Sequence, residues 1–149
     1  MILTLKQHVD HWVSSSIESL LDMEAAVKSK RRMNALYCGH LSVEKMFKAL
    51  LAARDTQIIW KHDLLKLAAM CGLVLNSGQE AELDTLNQFN LAAKYSSVKS
   101  KIYALCTPQY TDIWAANIRK WHKFLKGQVI GERAALPNNK AATYPEDRF

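Results

Sequence analysis

Residues 35 to 53, ALYCGHLSVEKMFKALLAA, hold a concentrated set of groups able to do chemistry. His40, Glu44 and Lys48 stand four residues apart, which puts an imidazole, a carboxylate and an ammonium on one side of a helix. Such a trio can move protons, hold an anion or bind itself together. With the acid toward the N-terminus, Glu44 and Lys48 have the favourable order for a surface pair worth about 0.2–0.5 kcal/mol. His40 falls on an apolar stripe, where the plainest reading is a buried histidine hydrogen-bonded across a core.

Other candidates lie further along. His62 precedes DLLKLA and reads as a helix-start or inter-helix hydrogen-bonding residue, with lining a nucleotide cleft as its functional alternative. Lys94 and Tyr95 could face the same cleft, since an ammonium meets phosphate and a phenol ring stacks on a base. His8 and His11 are three apart, but no cysteine or carboxylate completes a ligand set, so neither a metal nor another cofactor is expected. The basic run KSKRR, residues 28–32, reads as a solvated corner that could touch nucleic acid. There is no phosphate-cradling glycine loop, no GxSxG and no carboxylate dyad on a common face.

The elements that must position these groups are helical. No convincing alternating strand interrupts the pattern, and the stripes recur at spacings of three and four. Thr4 is a plausible cap for a first helix reaching about Ser29, with Val9, Trp12, Val13, Ile17, Leu20 and Leu21 inward. A second runs from about Asn34 to Arg54 on Leu36, His40, Val43, Phe47 and Leu50. After a connector at about residues 55–63, a short helix stops at Gly72, and a fourth begins near Ser77 with Leu83, Leu86, Phe89, Asn90 and Ala93 inward. Pro108 marks the approach to the last long helix, carrying Trp114, Ile118, Trp121 and Leu125 and ending at Gly127 or Gly131. The expected fold is all-α: an antiparallel up-and-down four-helix bundle with one additional short helix, over residues 1–130. Residues 131–149 read as a loose, extended or disordered tail.

The totals agree. A chain of 149 residues is one domain and buries roughly 70% of its unfolded surface without needing a disulfide or metal. Three cysteines with no CxxC pair suggest reduced thiols in the cytoplasm. No basic segment, apolar run and cleavage site in the N-terminal residues suggests a signal peptide, and no apolar run approaches the ~20 residues of a membrane span. The net charge of +6 favours acidic partners such as nucleic acid, a nucleotide or an acidic protein.

LSVEKMFKALLA, residues 41–52, resembles the second-helix signature of HEPN domains, a Gln-Ala-x-Glu-Lys-x-Leu-Lys-Ala-Leu type of pattern. Glu44, Lys45, Lys48, Ala49 and Leu50 match, while Leu41 and Ser42 stand where the pattern often has Gln-Ala. HDLLKLA, residues 62–68, is similar to the next landmark. LAAKY, residues 91–95, is similar to an Ala-Arg-Tyr element, with Lys94 replacing arginine. Together these span about residues 5 to 126. The resemblance implies a helical bundle that usually dimerises and is commonly encoded beside a small nucleotidyltransferase. It also implies a likeness to the C-terminal helical domain of aminoglycoside nucleotidyltransferases.

Two functional branches follow from that resemblance. One comprises metal-independent ribonucleases, often toxins of toxin–antitoxin pairs, marked by Arg, four to six residues, then His. The other comprises non-catalytic partners of the nucleotidyltransferase. Here Arg32 and His40 are separated by seven residues, as are Arg54 and His62, so neither pair fits. Lys94, six residues, Lys101, then Tyr103 resembles a degenerate version of the ribonuclease motif. A lysine, with a pKa ordinarily near 10.4, is a poor general base where a histidine would serve. The expectation is therefore a non-catalytic homodimer that binds a small nucleotidyltransferase and helps position its nucleotide or substrate through His40, Glu44, Lys48, His62, Lys94 and Tyr95. The alternatives are an RNA-directed protein using Lys94, Lys101 and Tyr103, and a nucleotide-binding module without a fixed partner.

Overall fold

A computed structural model of the chain describes residues 3–58 and 62–144. Within them lie six helices: α1 Leu5–Lys28, α2 Arg32–Ala53, α3 Leu64–Met70, α4 Ser77–Ala92, α5 Ser96–Leu105 and α6 Pro108–Ala134. No strand occurs among the described residues beyond an isolated antiparallel bridge between Thr4 and Ala141. None of these helices is long and apolar enough to cross a membrane.

Local chemistry sets the boundaries. The Thr4 hydroxyl accepts from the Gln7 amide while the Gln7 side chain accepts from the Thr4 amide, a capping box that starts α1. Asn76 and Gln79 repeat it at α4. Asp63 caps α3 and Thr107 caps α6, with Pro108 in the first turn where its missing N–H costs nothing. Helices α1, α2 and α3 end alike, with a left-handed residue after the cap: Lys30, Asp55 and Gly72. The next amide then reaches back to Ala26, Leu51 and Ala68 respectively, satisfying carbonyls the helix end would orphan.

Helix α2 is the centre of the packing, set against α1, α3, α4 and α6. Fifteen of its 22 residues are buried, so it has little polar face left. Gly39 permits the close approach: a Cβ there would collide with Ile118 Cδ1 and lie 2.9 Å from the Met23 sulfur. The expected inward residues Leu36, His40, Val43, Phe47 and Leu50 are all fully buried.

Four expectations are corrected. The connection after Tyr95 folds as a second short helix, α5, on a two-turn stripe of Val98, Ile102 and Leu105, of which only Ile102 is fully buried. Helix α6 runs through Gly127 and Gly131 to Ala134, because Leu125 and Val129 still anchor it to the core and each glycine costs only about 1 kcal/mol. The proposed boundary at 130/131 therefore falls inside a helix. Residues 135–144 are not a free tail: the Leu5 amide donates to Lys140 O, the Ala142 amide to Leu3 O, and Asp55 accepts from Thr143. Leu21 and Ala93, expected inside, are exposed: Ala92 takes the inward place at the end of α4, and on α1 Ser16 and Ser19 take the inward positions. Their hydroxyls are satisfied there, by the Ser42 carbonyl and the Lys45 ammonium. Of the expected connector, residues 59–61 lie outside the described residues, as do 145–149 of the expected tail.

Candidate functional site

Four residues per step carries His40, Glu44 and Lys48 along one face of α2, and that face points inward rather than to water. Glu44 Oε2 accepts from Lys48 Nζ at 2.9 Å. Glu44 Oε1 meets His40 Nε2 at 3.2 Å and His62 Nδ1 at 2.9 Å. The Glu44–Lys48 pair is thus buried, at 3% exposure for each residue, and is not the surface pair its spacing alone suggests. His40 crosses to α4, where its Nδ1–H donates to the Leu86 carbonyl at 3.0 Å. Both nitrogens of His40 therefore face oxygens, the Leu86 carbonyl on one side and the Glu44 carboxylate on the other. The Lys48 ammonium sits 5.3 Å from the centroid of Trp12, and the Trp12 indole donates to His8 Nε2 at 3.2 Å. A continuous polar line thus runs from α1 through α2 to His62, the residue before the Asp63 cap of α3.

Burial by itself would raise the Glu44 carboxyl, since a charge is costly away from water. The His40 hydrogen bond and the Lys48 charge overcome that and hold it down at about 2. A carboxylate held so low is a poor proton acceptor near neutral pH, so Glu44 orients its neighbours and does not act as a base.

The line surfaces at His62, whose side chain is 41% exposed. Its place is fixed from the next residue on. Asp63 Oδ1 accepts from Asn87 Nδ2 at 2.9 Å, and Asn87 Oδ1 accepts from the Leu64 amide at 2.9 Å, clamping the start of α3 to α4. His62 and Lys94 line one cleft of about 320 Å³, together with Asp63, Asp84, Asn87 and Asn90. With Nδ1 on Glu44, the other ring nitrogen of His62 makes no hydrogen bond among the described residues. The cleft combines two acids, amides, an imidazole and an ammonium, a lining suited to hydrogen-bond a polar ligand more than to bind phosphate by charge.

The sequence-derived candidates are therefore divided. His62 and Lys94 share the cleft; His40, Glu44 and Lys48 lie beneath it and reach it only through the Glu44–His62 contact. Tyr95 is exposed at the cap of α5 and does not line the cleft. Tyr103, 74% exposed, lines a different depression beside Lys30, Arg31 and Arg32, and Lys101 lines neither. Asp63, Asp84, Asn87 and Asn90 escaped sequence reasoning; the Asn76 and Asp63 caps, which set the registers of α4 and α3, were the available signal.

Among the described residues no group of three His, Cys, Asp or Glu side chains is placed to hold a metal. The three cysteines are free thiols, and burial pushes Cys71 up to about 12, leaving it unreactive.

An all-helical chain centred on a helix with the Val-Glu-Lys pattern, whose glutamate ties a histidine before the next helix to its own, defines the class. The sequence model of the HEPN domain family matches residues 9–127. The chain belongs to that family. Comparison with curated proteins and with solved structures gave no match in either set.

Proposed function

We propose that this HEPN protein is non-catalytic, binds a small nucleotidyltransferase, and uses the His62–Lys94 cleft to help position that enzyme's nucleotide or other substrate. The observation that carries the reading is the state of the residues at the position of the ribonuclease motif. Lys94 and Tyr103 line different depressions, and Lys94 and Lys101 are both exposed, with lysine standing at 101 where the motif has the histidine that could serve as the base. The candidate base, Glu44, is fully engaged by cationic or proton-bearing neighbours. What is left for a ligand is one edge of His62 and the Lys94 ammonium, which hold and orient without reacting. The proposed assembly is a homodimer joined to the nucleotidyltransferase, in the cytoplasm, with the partner supplying the reactive groups.

The test is co-purification of the tagged chain from its native cell extract, with mass spectrometry of bound proteins and extraction of bound RNA. A small nucleotidyltransferase in stoichiometric amount is expected. RNA recovered without a protein partner would overturn the reading in favour of the RNA-directed alternative. In a reconstituted pair, His62→Ala with Lys94→Ala should raise the KM of the nucleotidyltransferase about tenfold with kcat little changed, as expected for lost uniform binding.

A further inference from the structure

Helices α4 and α6 meet through long side chains, and the gap between them holds a pocket of about 280 Å³. Its walls are Gln79 and Glu82 of α4 and Lys120, Trp121 and Phe124 of α6, none of which lines the His62–Lys94 cleft. Trp121 and Phe124 stand three apart, which brings their rings together on one side of α6. The centroids are 6.2 Å apart and the planes meet at 83°, so the two rings form a corner. The indole is fixed within it: its N–H donates to Glu82 Oε2 at 2.8 Å, and Phe47 packs against it from the core. Trp121 is buried, whereas Phe124 is 47% exposed and closes the outer side.

The polar groups of the pocket are mostly committed. Glu82 gives Oε2 to the indole, and its Oε1 is met by Lys120 at 3.8 Å. That lysine side chain is 73% exposed, and a long surface pair of this kind holds weakly, so the ammonium turns aside easily. The Gln79 side-chain oxygen accepts from the Asn76 amide in the α4 capping box, which leaves its amide hydrogens but no free acceptor. Among the described residues no cation of the chain lies over either ring of the corner; the Lys48 ammonium lies over Trp12 instead. The pocket thus offers two aromatic walls and one carboxylate, with a single oxygen to spare.

We propose that this pocket binds the trimethylammonium group of a small quaternary ammonium solute, held in the corner of Trp121 and Phe124 beside Glu82. Aromatic rings attract a cation through their electron-rich faces, and the carboxylate supplies the opposite charge. The scarcity of acceptors decides which cation. A primary ammonium brings three N–H donors and a guanidinium five, and each donor buried without a partner is costly. A quaternary ammonium spreads its charge over methyl groups and needs aromatic walls and a nearby negative charge alone. A neutral apolar molecule would take Glu82 away from water and answer none of its charge. The group belongs to a free solute and not to a peptide, because α4 and α6 keep their main-chain groups within their own helices here and leave none to hold another backbone. Lys120 competes for Glu82 and repels the ligand, so its removal should favour binding. The inference stands apart from the nucleotidyltransferase reading.

Titration of the isotope-labelled full chain, followed by NMR at the Trp121 indole N–H, tests it with choline, dimethylbutanol and ethanolamine. Dimethylbutanol has the shape of choline without the charge, and ethanolamine has the charge without the methyl groups. Choline should give a saturable shift, with each of the others at least about tenfold weaker. Phe124→Ala should weaken choline at least about tenfold. So should Glu82→Gln, which keeps an oxygen for the indole and removes the charge. Lys120→Gln should act in the opposite sense and tighten choline about twofold to threefold. Should either of the first two variants fail to fold, Lys120→Gln, on an exposed side chain, still decides by its direction. Absence of a saturable shift with choline overturns the proposal. So does equal binding of either analogue, undiminished binding to Glu82→Gln, or weaker binding to Lys120→Gln. Acetylated trimethyllysine amide binding more than about tenfold tighter than choline overturns the assignment to a free solute.

Discussion

In the middle of α2, Glu44 meets His40, Lys48 and His62 inside the protein, whereas at its start Lys30, Arg31 and Arg32 meet no acidic side chain among the described residues. Both regions are rich in charge, and the sequence marks both. In the first every charge has been answered by the fold, so its removal is felt by the fold. In the second the fold has left the charges facing water, so their removal is felt by whatever binds there. Charge content alone does not separate a structural network from a binding surface. The presence or absence of an internal partner does.

Substitution should expose that difference most sharply. Lys48→Met leaves the buried Glu44 carboxylate without its ammonium and should cost about 3–5 kcal/mol, read as a shift of the urea midpoint. Arg31→Ala, at an exposed position, should change the same midpoint by no more than about 0.5 kcal/mol. Equal losses from both would break the comparison.

Acid should dissolve the network next. Glu44 stands at about 2 in the fold against 4.5 ordinarily. Its contribution is therefore present in full above about pH 4.5 and lost as pH falls toward 2, on the order of 3 kcal/mol. His8 acts earlier on the way down. Burial foremost, then the neighbouring His11, lowers it against a raising effect of Asp55, and its Nε2 must stay unprotonated to accept from Trp12. A base whose folded pKa is lowered loses stability as pH drops through its ordinary 6.5. Unfolding midpoints measured from pH 7 to pH 3 should fall in two stages, and Glu44→Gln should remove the lower one.

Gly39→Ala sits between the two regions and should have a smaller effect, about 1–3 kcal/mol, as Ile118 and Met23 are forced from their rotamers. Thermal melting checks it.

How far these features could be read in advance depended on distance along the chain. The α1 cap and the seam of α2 are local patterns and were legible, as was His40 bonded across the core, because a lone histidine on an apolar stripe needs an acceptor there. The burial of Lys48 was not: nothing in a spacing of four says whether a pair faces water, and Trp12, which covers it, lies 36 positions earlier. His62 joins Glu44 from 18 residues away, through a connector without periodicity. Helix α5 escaped because its apolar stripe, Val98, Ile102 and Leu105, is only two turns long and set among serines and lysines. The glycines of α6 read as stops, since sequence reports their cost and not the anchoring by Leu125 and Val129 that offsets it.

The slight anchoring of α5, by Ile102 with Val98 partly buried beside it, has a consequence for time as well as for shape. Helix α2 is enclosed on several sides, so its amide protons should exchange with solvent only when the whole molecule opens. Helix α5 can lift away by freeing Ile102 and the partly buried Val98, and its amides should exchange far sooner, by local opening. The surface between them thus has one wall that stays and one that yields, a difference in exchange rate written into neighbouring helices of one fold.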